Sequence, residues 1–464
     1  METKLLKYLK SYSETRLLEY FEIVEESKTL TEASLELYRL TSLELPRILS
    51  AIANSDRRLK VFIVEENPIK FLAAFLAGVI AEVDLFLGDR TWQQNEWQQV
   101  LSLVKPDLIL GKPAIEIDTI NSLNADLQSN LPDRPLIMIP TGGTSGTIRF
   151  AMHTWETLSA SVNGFQKYFN CQNINSLCTL PLYHVSGLMQ FMRSFITGGN
   201  LVLCPYKAVQ TAEFDFNTED YFISLVPTQL QLLIESVPEW LSGFKTVLLG
   251  GAPATQSLLD TARRHNISIA FTYGMTETAS GIVTLKPSDF LAGNNSSGKV
   301  LPHARVTIKP RDNRIGAIAI SGASLCLGYY PQLFTSTTLV TDDLGYFDRD
   351  GYLHLVGRNS HKIISGGENV FPAEVEAAIF ATGLVTDVCV IGISDRKWGQ
   401  VVTAIYVPVA DFDLEEVKQQ VRSQLANYKQ PKNWIKLDRL PRNNRGKINA
   451  RQLKAIAQEA INNN

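Results

Sequence analysis

The feature that most constrains this chain is a repeated alternation of short apolar, β-rich runs with helical segments, up to about Leu291. Val61–Glu65 is one such run. Asn67-Pro68 breaks it, and the apolar stretch Ile69–Ala81 follows with the length of a helix. Leu108–Leu110, Leu136–Ile139, Leu201–Cys204, Tyr221–Val226 and Thr246–Leu249 are further short strands of this kind. Strands alternating with helices lie side by side in the same direction, so an α/β fold with largely parallel sheets is expected. Ahead of these units Leu17, Phe21 and Val24 recur at helical spacing, which predicts helices up to about Lys60.

Beyond Leu291 the texture changes. Val306–Lys309, Ala317–Ser321 and Tyr352–Val356 are short strands between Gly, Asn and Asp turns, the pattern of a small antiparallel β subdomain. After Arg358 come a Gly-rich turn, a helix over Pro372–Phe380, strands at Val388–Ile391 and Val402–Val407, and helices at Leu414–Ala426 and Ala450–Ala460. The expected division is a large N-terminal domain over 1–357, with mixed α/β sheets plus the β subdomain, and a smaller α+β C-terminal domain over 358–464.

Composition narrows the partners. The 464 residues are 45% hydrophobic, enough for a sizeable core, and carry a net charge of −3. That charge makes no field to gather nucleic acid, so no nucleic-acid partner is expected. The longest apolar stretch, Phe71–Ala81, is bracketed by Lys70 and Glu82. It falls short of the ~20 residues that span a membrane. Met1–Tyr20 mixes Lys, Glu, Ser and Leu and does not read as a leader. Cys171, Cys178, Cys204, Cys326 and Cys389 are odd in number and form no C-x-x-C pair, as expected of reduced thiols in a cytoplasmic protein.

The richest local signal is Pro140-Thr141-Gly142-Gly143-Thr144-Ser145-Gly146-Thr147-Ile148-Arg149, directly after the apolar run Leu136–Ile139. Its glycines permit unusual backbone angles and close approach to a ligand. Its hydroxyls and free N–H groups can surround an anion, and Arg149 can pair with phosphate oxygens. On composition alone, a solvated Gly/Thr/Ser loop is an equal reading. The segment matches neither G-x-x-x-x-G-K-[ST] nor G-x-G-x-x-G nor G-x-S-x-G, which argues against P-loop, Rossmann and α/β-hydrolase sites.

Further segments follow in order: Pro181-Leu182-Tyr183-His184-Val185-Ser186-Gly187, Leu249-Gly250-Gly251-Ala252-Pro253, Tyr273-Gly274-Met275-Thr276-Glu277-Thr278, Thr341-Asp342-Asp343-Leu344-Gly345, Gly357-Arg358, Ser365-Gly366-Gly367-Glu368-Asn369-Val370 and Pro441-Arg442-Asn443-Asn444-Arg445-Gly446-Lys447. Together with the Thr141 loop they resemble the motifs of the adenylate-forming acyl-CoA synthetase superfamily, from about residue 60 to the end of the chain.

The resemblance implies an enzyme using ATP, Mg²⁺ and coenzyme A. It implies that Thr141, Gly142, Gly143, Thr144, Ser145, Gly146 and Arg149 grip the phosphates, and that the backbone of Gly250, Gly251, Ala252 and Pro253 lines the adenine. By the same resemblance Tyr273, beside Gly274 and Met275, stacks on the adenine. Thr276 contacts the α-phosphate, Glu277 binds the metal, Asp343 holds the ribose, and Arg358 reaches ribose or phosphate. Lys447 is the implied adenylation lysine, Ser365, Gly366, Gly367 and Glu368 the turn for the thioester step, and Ser360 the hinge. The chain departs from the family pattern at Gly142 for Ser, Ile148 for Pro, Arg149 for Lys, Asp342 for Gly, and Ser360 for Asp or Lys.

For the acid, the run Ser224-Leu225-Val226-Pro227-Thr228-Gln229, with Pro181–Gly187 and Gly274–Ser280, most resembles the o-succinylbenzoate–CoA ligases of menaquinone and phylloquinone synthesis. That acid is an aromatic dianion. One carboxylate reacts, and the second needs a partner in the pocket, for which Arg193 is the candidate, directly or through water, with Ser280 and His184 nearby; the resemblance puts His184 and Ser186 beside the acyl pocket. A ligase for another aryl or fatty acid, a stand-alone adenylation domain serving a carrier protein, and an inactive binding protein of the same fold stay open. So do monomer and homodimer.

Overall fold

The computed structural model describes residues 21–23, 30–114, 131–142, 147–210, 217–252, 254–312, 315–365, 368–395, 398–410, 412–442 and 448–462. Among these residues the strands form four sheets. The first has the order Phe21–Ile23, Leu201–Leu203, Asn175–Cys178, Tyr221–Leu225, Thr246–Leu249, Ile269–Met275, Ser280–Thr284, Lys299–Val300. It is parallel as far as Ile269–Met275 and antiparallel beyond. The second runs Gln332–Leu333, Gly328–Tyr329, Ile148–His153, Ile137–Gly142, Asp84–Leu87, Lys60–Val64, Leu108–Gly111 and is parallel over its last four strands. The expected α/β class and the small β subdomain are both present: Ala304–Asp312, Ile315–Gly322, Leu339–Phe347 and Leu353–Arg358 make an antiparallel four-stranded sheet. The fourth sheet gathers Glu368–Val370, Ile363–Ser365, Gly399–Pro408, Val385–Asp395 and Asn433–Lys436.

The two large sheets share a core. Val61, Ile63, Leu85, Leu87, Ile137 and Ile139 of one sheet pack in the same cluster as Cys178, Leu201 and Leu203 of the other, with the helices Pro68–Ile80 and Val185–Thr197 between them. Pro68 opens its helix where a missing N–H costs nothing, and the Asn67 side chain caps it by accepting from Lys70 N at 3.0 Å. Phe75 meets Phe191 edge to face, 6.2 Å between centroids, which ties the two helices together.

One helical expectation is corrected. Phe21–Ile23 is a strand, paired in parallel with Leu201–Leu203. The short run gains ladder hydrogen bonds along an otherwise open sheet edge, and this outweighs its helical spacing. Leu17 lies outside the described residues. A helix does follow, over Leu30–Ile52. Among the described residues no helix is long and apolar enough to cross a membrane.

Candidate active site

The phosphate-loop segment is built into a β-hairpin. Ile137–Gly142 and Ile148–His153 pair antiparallel, with Thr141 opposite Arg149 and Gly142 opposite Ile148. Gly143, Thr144, Ser145 and Gly146, which join the strands, lie outside the described residues. Side chains alternate along the second strand. Ile148, Phe150 and Met152 enter a core with Phe62, Phe86, Trp92 and Trp97, leaving Arg149, Ala151 and His153 to the other face. Ile148, where the family pattern has Pro, donates its N–H to Gln99 Oε1 at 3.0 Å. Proline has no such hydrogen, so Gln99 of the helix Gln94–Leu103 is matched to this chain's own residue.

From the outer face of that strand two contacts reach the Thr276–Glu277 turn. His153 Nε2 lies 2.7 Å from the main-chain oxygen of Thr276, and its Nδ1 lies 3.0 Å from Thr157 Oγ1. A carbonyl only accepts, so Nε2 carries the hydrogen. Burial holds His153 down at about 4, hence neutral at pH 7. Arg149 stacks its guanidinium 4.1 Å above the ring of Tyr329, and the Tyr329 hydroxyl donates to Glu277 Oε1 at 2.5 Å. Burial, and then the Glu277 charge, push the Tyr329 hydroxyl far above its ordinary range, so it stays a donor. The Glu277 main-chain oxygen accepts from Cys326 N at 2.8 Å.

Glu277 is 6% exposed, and among the described residues only Tyr329 hydrogen-bonds its carboxylate. No group of three or more metal-ligating side chains exists among the described residues. A single hard carboxylate fits Mg²⁺, which takes most of its ligands from water and substrate phosphates rather than from a protein cage.

Asp343, expected to hold the ribose, is held from two directions. Tyr273 donates its hydroxyl to Oδ2 at 2.9 Å, and Arg358 donates Nε to Oδ1 at 3.0 Å. The ring of Tyr273 packs with Ile282, Val283, Val306, Ile318 and Leu353. Gly250 donates its N–H to the oxygen of Leu225 at 3.2 Å, which puts the Leu249–Ala252 turn beside Val226. Gly251 adopts φ +82°, a conformation that favours glycine. Pro253 lies outside the described residues.

Most of the residues expected beside the acid lie on or next to the helix Val185–Thr197. His184 is its N-cap, with its ring 4.4 Å from that of Tyr183, and Ser186 and Arg193 are two turns apart on one face. Arg193 is 4% exposed, with Nη2 3.2 Å from Ser280 Oγ and its guanidinium 4.2 Å above the Phe165 ring. Among the described residues no carboxylate pairs with it, and Nε has no hydrogen-bond partner. Burial draws Arg193 down to about 10, so it remains a cation at pH 7.

Ser280 is aimed by an unusual backbone. Ala279 and Ser280 have φ of +52° and +82°. Such residues cost on the order of 1–3 kcal/mol each and persist only where the surroundings impose them. Here Ser161 Oγ donates to Ala279 O at 2.7 Å and Thr278 Oγ1 to Ser280 O at 2.7 Å. A Cβ on Gly274 would lie 2.0 Å from Ser280 O, so glycine is required there.

In the last sheet, Ser365 is buried and Glu368 exposed, while Gly366 and Gly367 between them lie outside the described residues. Lys447 also lies outside them. The neck of its loop is described. Arg442 and Ile448 form a β-bridge, Asn449 N donates to Pro441 O at 2.9 Å, and Arg442 Nη2 meets both oxygens of Asp387 at 2.8 Å.

Sequence reasoning missed His153, Tyr329, Gln99, Ser161 and the partner of Ser360, which is Asp342. The alternation after the phosphate loop was a usable signal for His153. The pairing of Tyr329 with Ala151 has no local signature.

Comparison with known proteins agrees with this arrangement. The model of a family described as AMP-binding enzyme matches residues 47–330, and that of the AMP-binding enzyme C-terminal domain matches 374–447. A 2-succinylbenzoate–CoA ligase of Bacillus licheniformis is 33% identical over 82% of this chain and 86% of its own. The o-succinylbenzoate CoA synthetase of Bacillus subtilis is similar in three solved states. With the acyl-adenylate intermediate, identity is 27%, coverage 97% of both chains and TM-score 0.81. With ATP and magnesium, identity is 26%, coverage 97% of this chain and 99% of that one, and TM-score 0.79. A double mutant bound to a product analogue is 27% identical over 97% of this chain and 98% of that one, with TM-score 0.64.

Proposed function

The chain belongs to the AMP-binding enzyme family, and on that premise we propose that it is an ATP-dependent acid–CoA ligase whose acid is o-succinylbenzoate. The observation that carries the acid is Arg193, a buried cation beside Ser280 with no carboxylate partner among the described residues. A buried charge without a partner is costly, and a dianionic acid supplies one. The similarity to the 2-succinylbenzoate–CoA ligase supports the same acid.

A carboxylate is a poor acyl donor because oxide is a poor leaving group. In the proposed first step a carboxylate oxygen attacks the α-phosphorus of ATP. The bond from that phosphorus to pyrophosphate breaks, and pyrophosphate leaves with the electron pair. Arg149, the loop N–H groups and Lys447 stabilise the charge that gathers there, and Thr276 holds the α-phosphate. Each such preorganised contact is typically worth ~10²–10³ in rate. Mg²⁺ entering with ATP would be held on the protein side by Glu277 and would neutralise phosphate charge. In the second step the sulfur of coenzyme A attacks the acyl carbon, the bond to AMP breaks, and the thiol proton is lost to solvent.

The proposed domains are 1–357 and 358–464. The second turns about Ser360 between the two steps, withdrawing Lys447 and bringing in Ser365–Glu368. Motions of this kind run on μs–ms timescales. Five free thiols suit a reducing compartment, and the cytoplasm is the proposed location. The test is thioester formation with ATP, Mg²⁺, coenzyme A and o-succinylbenzoate, with benzoate and a fatty acid in parallel. Thioester with o-succinylbenzoate alone is expected. Activity confined to another acid overturns the choice of acid, and no AMP release with any acid overturns the ligase reading.

A further inference from the structure

Asp342 and Asp343 are neighbours in the strand Leu339–Phe347, and each holds a residue at or just past the end of the strand Leu353–Arg358. Asp343 is paired in register with Arg358 and takes its Nε at 3.0 Å. Asp342 lies one position further along, opposite the turn Asn359–His361, and its carboxylate accepts the N–H of Ser360 at 3.2 and 3.1 Å. Its Oδ2 also takes the Ser360 hydroxyl in a short bond. The next strand, Ile363–Ser365, already belongs to the last sheet. The chain between the two sheets is therefore a single turn, and Asp342 holds its middle residue.

Asp342 and Ser360 are two of the places where the chain departs from the family pattern. Gly is usual at the first, Asp or Lys at the second. In the structure the two departures meet. The link position has a small hydroxyl in place of a charged side chain, and the facing strand carries a carboxylate in place of a glycine. The bonds are charge-assisted, which makes them stronger than neutral ones. Both residues are exposed, so the pair adds little to global stability and acts on the link.

We infer that Asp342 is a positioning residue: through Ser360 it sets the orientation of the C-terminal sheet in which adenylation takes place. This rests on the ligase reading. The fold lies closer to the acyl-adenylate complex of the Bacillus subtilis synthetase, at TM-score 0.81, than to its product-analogue complex, at 0.64.

Two readouts test it on the full chain. The link carries trypsin sites at Arg358 and Lys362. Asp342→Ala raises the rate of cleavage there about fivefold, while Asp342→Asn, which still accepts from Ser360, stays near wild type. In parallel, Asp342→Ala slows ATP–pyrophosphate exchange about fivefold relative to thioester formation from preformed acyl-adenylate, and Asp342→Asn restores the ratio. Unchanged cleavage, or half-reactions that fall together and keep their ratio, overturns the inference. If wild-type protein shows no exchange, the ligase reading fails instead, and the cleavage rates still decide whether Asp342 holds the link.

Discussion

His153 Nε2 donates to the main-chain oxygen of Thr276, 123 residues away, across 2.7 Å. The contact ties the phosphate-loop hairpin to the turn that carries Glu277. His153→Ala leaves that oxygen with the N–H of Ala279 alone, 3.1 Å away, and removes the tie between hairpin and turn. A misplacement of about 1 Å can cost ~10² in rate, so the exchange rate is expected to fall by about that factor with little change in the KM for the acid.

The same histidine makes stability depend on pH. Its folded value of about 4 lies below the ordinary 6.5, as does that of His303, depressed by burial and then by Arg193 to about 4. The unfolded chain therefore binds more protons between pH 4 and 6.5. The histidine share of stability is complete above pH 6.5 and is lost as pH falls to about 4, by about 3 kcal/mol for fully buried His153, while the buried carboxyls of Asp84 and Glu376, raised to about 6 and about 7, act in the opposite direction. His153→Gln should remove its share of the pH dependence of the thermal midpoint in that window and leave the shares of His303, Asp84 and Glu376. An unaltered slope would sink the assignment.

Tyr329 orients Glu277 through a single hydroxyl. Tyr329→Phe keeps the ring under Arg149 and removes the bond. Removing a residue that orients a metal-binding carboxylate typically weakens metal affinity 10–100-fold. The Mg²⁺ concentration for half-maximal exchange should rise by about tenfold, and the midpoint of thermal unfolding without Mg²⁺ should fall, since the buried carboxylate loses its partner.

Arg193 is buried with an aromatic face beneath it and a hydroxyl beside it. Arg193→Ala is expected to raise the KM for o-succinylbenzoate by ~10², the scale of losing one member of a buried charge pair. Arg193→Lys should not restore it, since an ammonium offers neither the planar face nor the fork. An unchanged KM in either variant would remove Arg193 from the acid site.

Ile148 and Gln99 should be energetically coupled. Ile148→Pro deletes the N–H that Gln99 accepts, and Gln99→Ala deletes the acceptor. In chemical denaturation the double variant should be less destabilised than the sum, with an interaction of about 1 kcal/mol. Strict additivity would show that the bond contributes nothing.

The sheet strands were legible where apolar β-rich runs end at a breaker, as at Thr246–Leu249, which has the bounds read from sequence. Asp84–Leu87 and Asn175–Cys178 went unread because four residues with a polar start carry too little pattern. Phe21 misled because three residues at helical spacing cannot reveal a sheet edge. At the candidate site, segments with local chemistry, such as Tyr273–Thr278, were readable. The contacts that join them were not. Tyr329 reaches Glu277 only because Tyr329 lies opposite Ala151 in the sheet, and Asp342 reads as a turn residue until Ser360 faces it.

The strand Ile148–His153 has one further consequence, for adaptation to temperature. Its inner residues are wedged among Phe62, Phe86 and Trp97, and its outer ones, Arg149 and His153, hold Tyr329 and the Thr276 turn, which on the proposed function face the phosphates of ATP. A lineage that softened this aromatic core to work in the cold would loosen its hold on ATP with the same substitutions. On that reading heat resistance and nucleotide handling would be inherited together, and variants selected for either property alone should carry changes in the other.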